Sequence, residues 1–467
     1  MYLNKKIISL LLFAIPNICL SQEADKAWNT IYHQIENSIT IPKFKEKDYV
    51  ITKFGAISDN AEILNHKSIN KAIDKCSHDG GGRVVIPAGI WHTGPITLKS
   101  NVNLYLAEGA TLLFTKDIKQ YPLVPTRWEG MDCINYQPMV YAKDQKNIAI
   151  TGKGTIDGGG TKQDWWAMCG AVHYGWKEGI ISQRIGRPQL FKWVEDGTPL
   201  EKRVMGDGYG MRPQLVNLYN CKDVLIEGVK LLRSPFWVIH PLLCTNITVR
   251  NVTIDNDGPN GDGCDPESCK NVIIEGCYFN TGDDCIAIKS GRNADGRKWN
   301  IPSENIIVRN CIMKNGHGGV VVGSEISGGL KNLFVENCNM DSPMLDRVIR
   351  IKTNTCRGGV IDGVYVRNIN VGSCKEAVLK INLNYESGEV AKRGFYPTVQ
   401  NVFLENVISN SSQYGIVIDA LNDSTMVKNI VVRNSIFNNV SQCGNKLLGR
   451  MENVKIENLL LSGVITR

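Results

Sequence analysis

No apolar run in this 467-residue chain is long enough to cross a bilayer as a helix. The stretch Ile7 to Ile15 comes nearest. It follows Lys5 and Lys6 and precedes small residues at Cys19 and Ser21, which reads as an export signal cleaved after Ser21. Pro16-Asn17-Ile18 fits a lipoprotein signal poorly, so the expectation is a soluble protein, secreted or periplasmic, without residues 1–21. Blocks of Lys or Arg are also missing, which argues against a nucleic-acid partner. The formal net charge of +7 is modest for the length, compatible with a polyanionic substrate without requiring one.

The fifteen Cys of an exported chain could suggest a disulfide scaffold. Several, however, occupy one recurring slot: Gly276-Cys277, Asn310-Cys311 and Asn337-Cys338. Thiols stacked inside a core are expected there. The remaining Cys leave room for a bridge whose pairing is not readable.

What is present is a repeat. Asn or Asp, then alternating apolar residues, then Asn or Gly recurs as DVLIEGV from Asp223, NITVRNV from Asn246, NVIIEGC from Asn271 and NIIVRNC from Asn305. It continues through Asn332, Gly363, Asn401, Asn429 and Asn453, with earlier copies from Asn101 and Asn147. From Asp223 onward the spacing begins at 23 and 25 residues and stretches to as many as 38 where loops are inserted. Each copy is a short strand of period two, too small to bury its apolar face alone, so the copies must stack. No copy holds a helical period of ten residues or more, and Leu does not recur at the fixed positions of a leucine-rich repeat. An all-β single-stranded parallel β-helix remains.

Such a solenoid needs a cap at its open end. Lys67 to Cys76, with Ile69, Ala72, Ile73 and Cys76 on one face, predicts a capping helix, and Trp28, Ile31, Tyr32 and Ile35 predict a second short helix at the same end. Residues 22–467 are read as one catalytic domain. Within it, 158–211 breaks the pattern with Trp165, Trp166, Trp176 and Trp193, and reads either as a loop system shaping a cleft or as a lid packed on its own Trp residues.

The chemistry sits in consecutive repeats. Asp262 lies in NGDGCD beside Asn260, and Asp283 and Asp284 lie in TGDDCIAIKSGR, 21 and 22 residues on, which is one coil. Three carboxylates stacked together raise at least one pKa, which keeps an acid protonated until it donates. A calcium site is the alternative. The next coils instead add basic groups: His317 in NGHGG, Arg350 and Lys352 in RIK, and then Tyr385 in INLNY. Arg350 and Lys352, two apart on an extended segment, share a face and form a natural clamp for a sugar carboxylate.

In this order and spacing, Asn-x-Asp, Gly-Asp-Asp, Gly-His-Gly, Arg-Ile-Lys and a downstream Tyr resemble the polygalacturonase family of glycoside hydrolases, family 28, from about Val50 to the end of the chain. The resemblance implies a right-handed, pectin-lyase-like solenoid that hydrolyses α-1,4 galacturonosyl linkages of pectin with inversion. By motif, Asp283 resembles the general acid, Asp262 and Asp284 the pair that activates water, and His317 the residue assisting the acid. Arg350, Lys352, Tyr385 and Asn260 resemble substrate binders. No metal or organic cofactor is implied, and a monomer acting on pectin or galacturonate oligosaccharides is expected. Inversion also asks for acid and base roughly 6.5–9.5 Å apart.

The insertion before Met211 and the stretch SPFWVIHP from Ser234 resemble exo-acting bacterial members, with Trp237, His240 and Arg292 read either as substrate contacts or as packing. Two further readings on the same scaffold are a rhamnogalacturonan or decorated-pectin hydrolase, against which His317, Arg350 and Lys352 argue, and a calcium-dependent lyase, against which Gly-Asp-Asp argues. A non-catalytic pectin-binding solenoid is the reading from outside enzymology.

Overall fold

A computed structural model describes residues 22–442, 444–462 and 464–466, with no side-chain account of the last three. The export signal expected at 1–21 lies outside the described residues. No described helix is long and apolar enough to cross a membrane.

Every copy of the repeated phrase forms a strand. They pair in parallel and in chain order from Asp48–Val50 to Met451–Leu461, making one fourteen-stranded sheet that includes a final antiparallel strand. Shorter strands build two further walls, so the chain is a right-handed parallel β-helix. Register is held without slippage over many coils: Val224, Ile247, Val272, Ile306, Leu333, Val364, Val402, Ile430 and Val454 form one column. These positions line a single continuous core.

The Asn that opens each phrase explains the constancy. Asn246, Asn271, Asn305 and Asn332 all adopt the left-handed conformation, with φ between 58° and 60°, which Asn tolerates better than other side chains. Their amides hydrogen-bond from coil to coil: Asn271 to Asn246 at 3.2 Å, Asn305 to Asn271 at 3.1 Å and Asn332 to Asn305 at 3.0 Å. At the one copy that opens with Gly363, the ladder is taken up again by the preceding Asp362, which accepts from Asn401 at 2.8 Å.

Cys277, Cys311 and Cys338 are buried in the core as the repeat predicts, and Cys221, Cys244 and Cys269 form a second set. All thirteen described cysteines are free thiols, so no disulfide exists among the described residues.

The helix His66–His78 buries Ile69, Ala72, Ile73 and Cys76 against the first coils, as a cap should. The N-terminal helical segment, Ala27–Tyr32 continuing into His33–Ser38, corrects its expectation. It does not close the same end; it lies along the outside of the long sheet, over Ile273, Ile307, Phe334, Tyr365, Phe403 and Val431. The cause is an outward-facing aromatic stack, Phe334 on Tyr365 at 4.8 Å and Tyr365 on Phe403 at 5.5 Å, which requires cover. Trp28 meets Phe334 edge-on at 5.0 Å, and the Tyr32 hydroxyl donates to Glu336 at 2.5 Å.

The inserted region also holds more structure than a loop system. It contains a helix, Gln183–Glu195, hidden from sequence reading by Gly186 and Pro188 within it. Trp165 and Trp166 are buried in the solenoid core itself, and Trp193 packs on a cluster with Trp128, Phe236 and Trp237. Neither a self-contained lid nor a set of exposed stacking platforms describes these side chains.

Candidate active site

The aspartates are placed by strand register. Cys264 pairs with Ile286, Ile286 with Val320, and Val320 with Ile349, so the segments entering these strands lie in successive coils over one wall. Backbone bonds fix the entries: Gly263 N–H donates to Asp284 O at 3.0 Å, and His317 N–H to Asp283 O at 3.1 Å. The second approach needs glycine. Gly316 has φ of +146°, and a Cβ there would sit 2.5 Å from Asp283 O.

The result is tight. One oxygen from each of Asp262, Asp283 and Asp284 lies within 4.8 Å of the others. This is closer than the acid–base separation expected for inversion, because the three side chains rise from adjacent coils rather than from facing walls of a cleft. Around them stand cations: Lys352 Nζ at 2.7 Å and Arg350 Nη1 at 3.6 Å from Asp284, and Lys289 Nζ at 3.5 Å from Asp262. A calcium ion would need six to eight oxygen ligands. Ammonium and guanidinium groups already face these carboxylates, so the donor set suits that ion poorly.

The surroundings split the carboxylates. Burial, reinforced by the charge of Asp283, pushes Asp262 up to about 8. Burial works in the same direction on Asp283, but the His317 hydrogen bond at 3.0 Å and the charges of His317, Lys352 and Lys289 outweigh it and hold this carboxyl below the usual range. His317 is raised in turn to about 9, first by that hydrogen bond and then by the Asp283 charge. Behind Asp262, the fully buried Asp265 is pushed well up by burial and by its neighbour Asp262. One raised carboxyl was expected; that it is Asp262, and not the Asp283 which by motif resembles the acid, was not.

Asp262, Asp283, His317, Asn260, Arg350, Lys352 and Tyr385 all line one cavity of about 470 Å³; Asp284 is fully buried and does not line it, but is bonded to Lys352, which does. Lys352 and Arg350 each stand 5.3 Å from the Tyr385 ring centroid. Of the three residues left open, Trp237 and Arg292 line this cavity, whereas His240 does not. His240 is core, bonded to Glu267 at 2.9 Å and wholly buried.

Sequence reasoning missed Lys289, Glu325, Gln183, Arg187, Glu129 and Glu386, all in the same cavity wall. Lys289 carried a signal, since it pairs in register with Glu267 just beyond the Gly-Asp-Asp motif. Glu325 follows the strand Val320–Gly323, the rest come from the hairpin Leu123–Tyr136, the inserted helix and the loop after Tyr385, and only the folded chain brings them together. Arg292 ties this wall, bonding Glu386 at 2.6 Å, Glu325 at 3.0 Å, Glu129 at 3.1 Å and Glu389 at 3.2 Å.

The profile of "Glycosyl hydrolases family 28" matches residues 202–457. A probable polygalacturonase of Vitis vinifera is 32% identical over 70% of this chain and 61% of its own length. An exo-poly-alpha-D-galacturonosidase of Dickeya chrysanthemi is 28% identical over 80% and 64%. These matches therefore span somewhat less than two thirds of either relative. Among solved structures, a hyperthermoactive exopolygalacturonase from Thermotoga maritima is 39% identical with a TM-score of 0.89, over 94% of this chain and 97% of that one. Fold, site and profile coincide over the same coils: the chain belongs to family 28 of the glycosyl hydrolases.

Proposed function

We propose that this protein hydrolyses α-1,4 galacturonosyl linkages of polygalacturonan or its oligosaccharides, removing units from a chain end. One observation carries the reading: three carboxylates lie within 4.8 Å of one another, and two of them, Asp262 and Asp283, line a cleft with an Arg350–Lys352 pair suited to a sugar carboxylate. Asp283, whose Oδ1 is hydrogen-bonded to His317 Nδ1, is the donor to the leaving oxygen. In the free site the mobile protons rest on His317 and Asp262, so the donor is recharged from a ring 3.0 Å away when the glycosidic oxygen arrives.

Asp262 and Asp284 hold the attacking water between them, and its proton passes to Asp284, since Asp262 already carries one. Two acceptors around one tetrahedral water stand about 4.5 Å apart when each bond is about 2.8 Å, which the observed spacing accommodates. The buried Oδ1 of Asp284 has no hydrogen-bond partner, and Arg350 Nη1 stands 3.6 Å from it. The same spacing would suit direct attack by a carboxylate, so stereochemistry needs its own measurement. End-on action is favoured by the ion-paired wall of Glu129, Arg187, Arg292 and Glu386 beside the aspartates, and by the exo-acting relatives. Export to the periplasm or beyond, on the strength of residues 1–21, and action as a monomer complete the reading.

The test is early-product chromatography on polygalacturonic acid. Galacturonate monomer alone from the first time points is expected, a ladder would mean internal cutting, and no product would redirect attention to rhamnogalacturonan or decorated pectin. Proton NMR of the nascent anomer decides between inversion and retention, and product absorbance in the ultraviolet would reveal elimination instead. Asp283→Asn should lower kcat by roughly 10²–10⁴ while the fold persists.

A further inference from the structure

Asp265 is a carboxyl to which none of the hydrolytic roles falls. It is wholly buried, and neither of its oxygens has a hydrogen-bond partner among the described residues. Strand register explains the burial. Cys264 bridges Ile239 on one side and Ile286 on the other and points into the core, so Asp265 points outward, beneath the cleft, between His240 and Ala287 of the adjoining coils. Its backbone N–H donates to Ile239 O at 2.8 Å, which fixes the segment.

The surrounding charges leave Asp265 no cation of its own. Lys289 Nζ stands 3.5 Å from Asp265 Oδ1, 3.5 Å from Asp262 Oδ2, 3.1 Å from Glu325 Oε2 and 4.3 Å from the Trp237 ring centroid. Glu325 takes up that ammonium: burial works against its ionisation, but Lys289 and then Arg292 hold it well below the usual range. Asp284 is matched by Lys352 and Arg350, and Asp283 by His317. One ammonium cannot offset three acids, and the carboxyls of Asp262 and Asp265 are within hydrogen-bonding reach of each other. Ionised carboxylates only accept, so their contact requires a proton between them.

The direction of that proton matters for the water. Lys289, at 3.5 Å, is the one donor to Asp262 among the described residues, so nothing else there orients the carboxyl. A protonated Asp262 that donated to the water would occupy the lone pair needed for attack on the anomeric carbon. We infer that Asp265 is a positioning residue: kept neutral beneath the cleft, it accepts the Asp262 proton, so that Asp262 meets the attacking water as an acceptor alone. The inference rests on the proposed hydrolysis and deepens it. A partner that accepts from the neutral form also favours that form, so Asp265 adds to the burial and the Asp283 charge that push Asp262 up to about 8. Asp283, Lys289, Asp284 and Lys352 are the other charged groups facing Asp262, and Lys289 and Asp284 also face Asp265. A substitution at Asp265 leaves all of them in place.

Two substitutions separate the roles. Asp265→Asn keeps an oxygen that can accept, whereas Asp265→Val has none. In kcat/KM profiles on galacturonate oligosaccharides, the alkaline limb set by Asp262 should stay in place in Asp265→Asn and fall by roughly half to one pH unit in Asp265→Val. Asp265→Val should also lose about tenfold in kcat with KM unchanged, because Asp265 touches no sugar, while Asp265→Asn keeps kcat within about threefold. A fall of the limb in both variants would mean that Asp265 acts as a charge, and an unmoved limb in Asp265→Val that it only fills space; either result overturns the inference. Infrared difference spectra at pH 7, native minus Asp265→Asn, need no turnover and no folded Asp265→Val. They should carry the band of a protonated carboxyl, and its absence would overturn the inference as well. A native protein that shows the band yet releases no product would overturn the hydrolase reading and not the neutral state of Asp265.

Discussion

At the scale of single residues, the site is a set of charges each made tolerable by its neighbours. His317 at about 9 and Asp262 at about 8 both hold protons that the free groups would release at lower pH. If turnover needs those protons, activity of the free enzyme should fall as pH rises through 8 to 9, which a kcat/KM profile would display. The sign for stability is the same. Both groups have folded pKa values raised above their unfolded ones. For Asp262 the contribution is complete below about 4 and is lost as pH rises toward 8. Asp262→Asn removes that penalty, so at pH 8 the variant should be the more stable protein, by on the order of a few kcal/mol and roughly 2–5 °C in Tm. Scanning calorimetry of both proteins at pH 5 and pH 8 checks this, since the difference should shrink at the lower pH. Lys352 presents the opposite case. Its ammonium lies 2.7 Å from the fully buried Asp284, so Lys352→Met strands a carboxylate and should cost roughly 3–5 kcal/mol, measurable by denaturant titration.

At the scale of elements, the strands were legible because each repeat carries its own instructions. A left-handed Asn, an alternating apolar run and a closing Asn define one rung, and nothing distant is needed to read it. The aspartates, His317, Arg350 and Lys352 were legible for the same reason, since a spacing of one coil in sequence becomes adjacency in space. Elements that answer to the finished surface were not legible. The N-terminal helix was expected from its apolar face, yet its seat depends on Phe334, Tyr365 and Phe403 aligning on the outside of the sheet. The inserted helix was obscured by its own Gly and Pro, and with it Gln183 and Arg187. Because Trp28 seals the aromatic stack, Trp28→Ala should cost roughly 3–5 kcal/mol and raise binding of a hydrophobic dye without altering KM. Retention of native stability in that variant would mean that the N-terminal segment is not part of the cooperative fold.

At the scale of the whole molecule, the proposed function has a chain with a formal net charge of +7 meeting a polyanion. Most cations lining the cleft are already paired with acids, as Arg292 is with four glutamates, so local attraction is partly cancelled and the long-range field assists capture. Raising ionic strength from about 0.02 to 0.2 M should therefore lower kcat/KM on long polygalacturonate by roughly three- to tenfold, and on digalacturonate by less. Initial rates on the two substrates across a salt series would separate steering from contact.

The unlinked sulfur atoms have a practical consequence for biogenesis. A solenoid whose described thiols are unlinked, all but Cys169 of them buried, owes none of its cohesion to disulfides among those residues. No coil among them waits on a disulfide to be laid upon the last, and neither an oxidase nor an isomerase has a bond to make or correct among those residues.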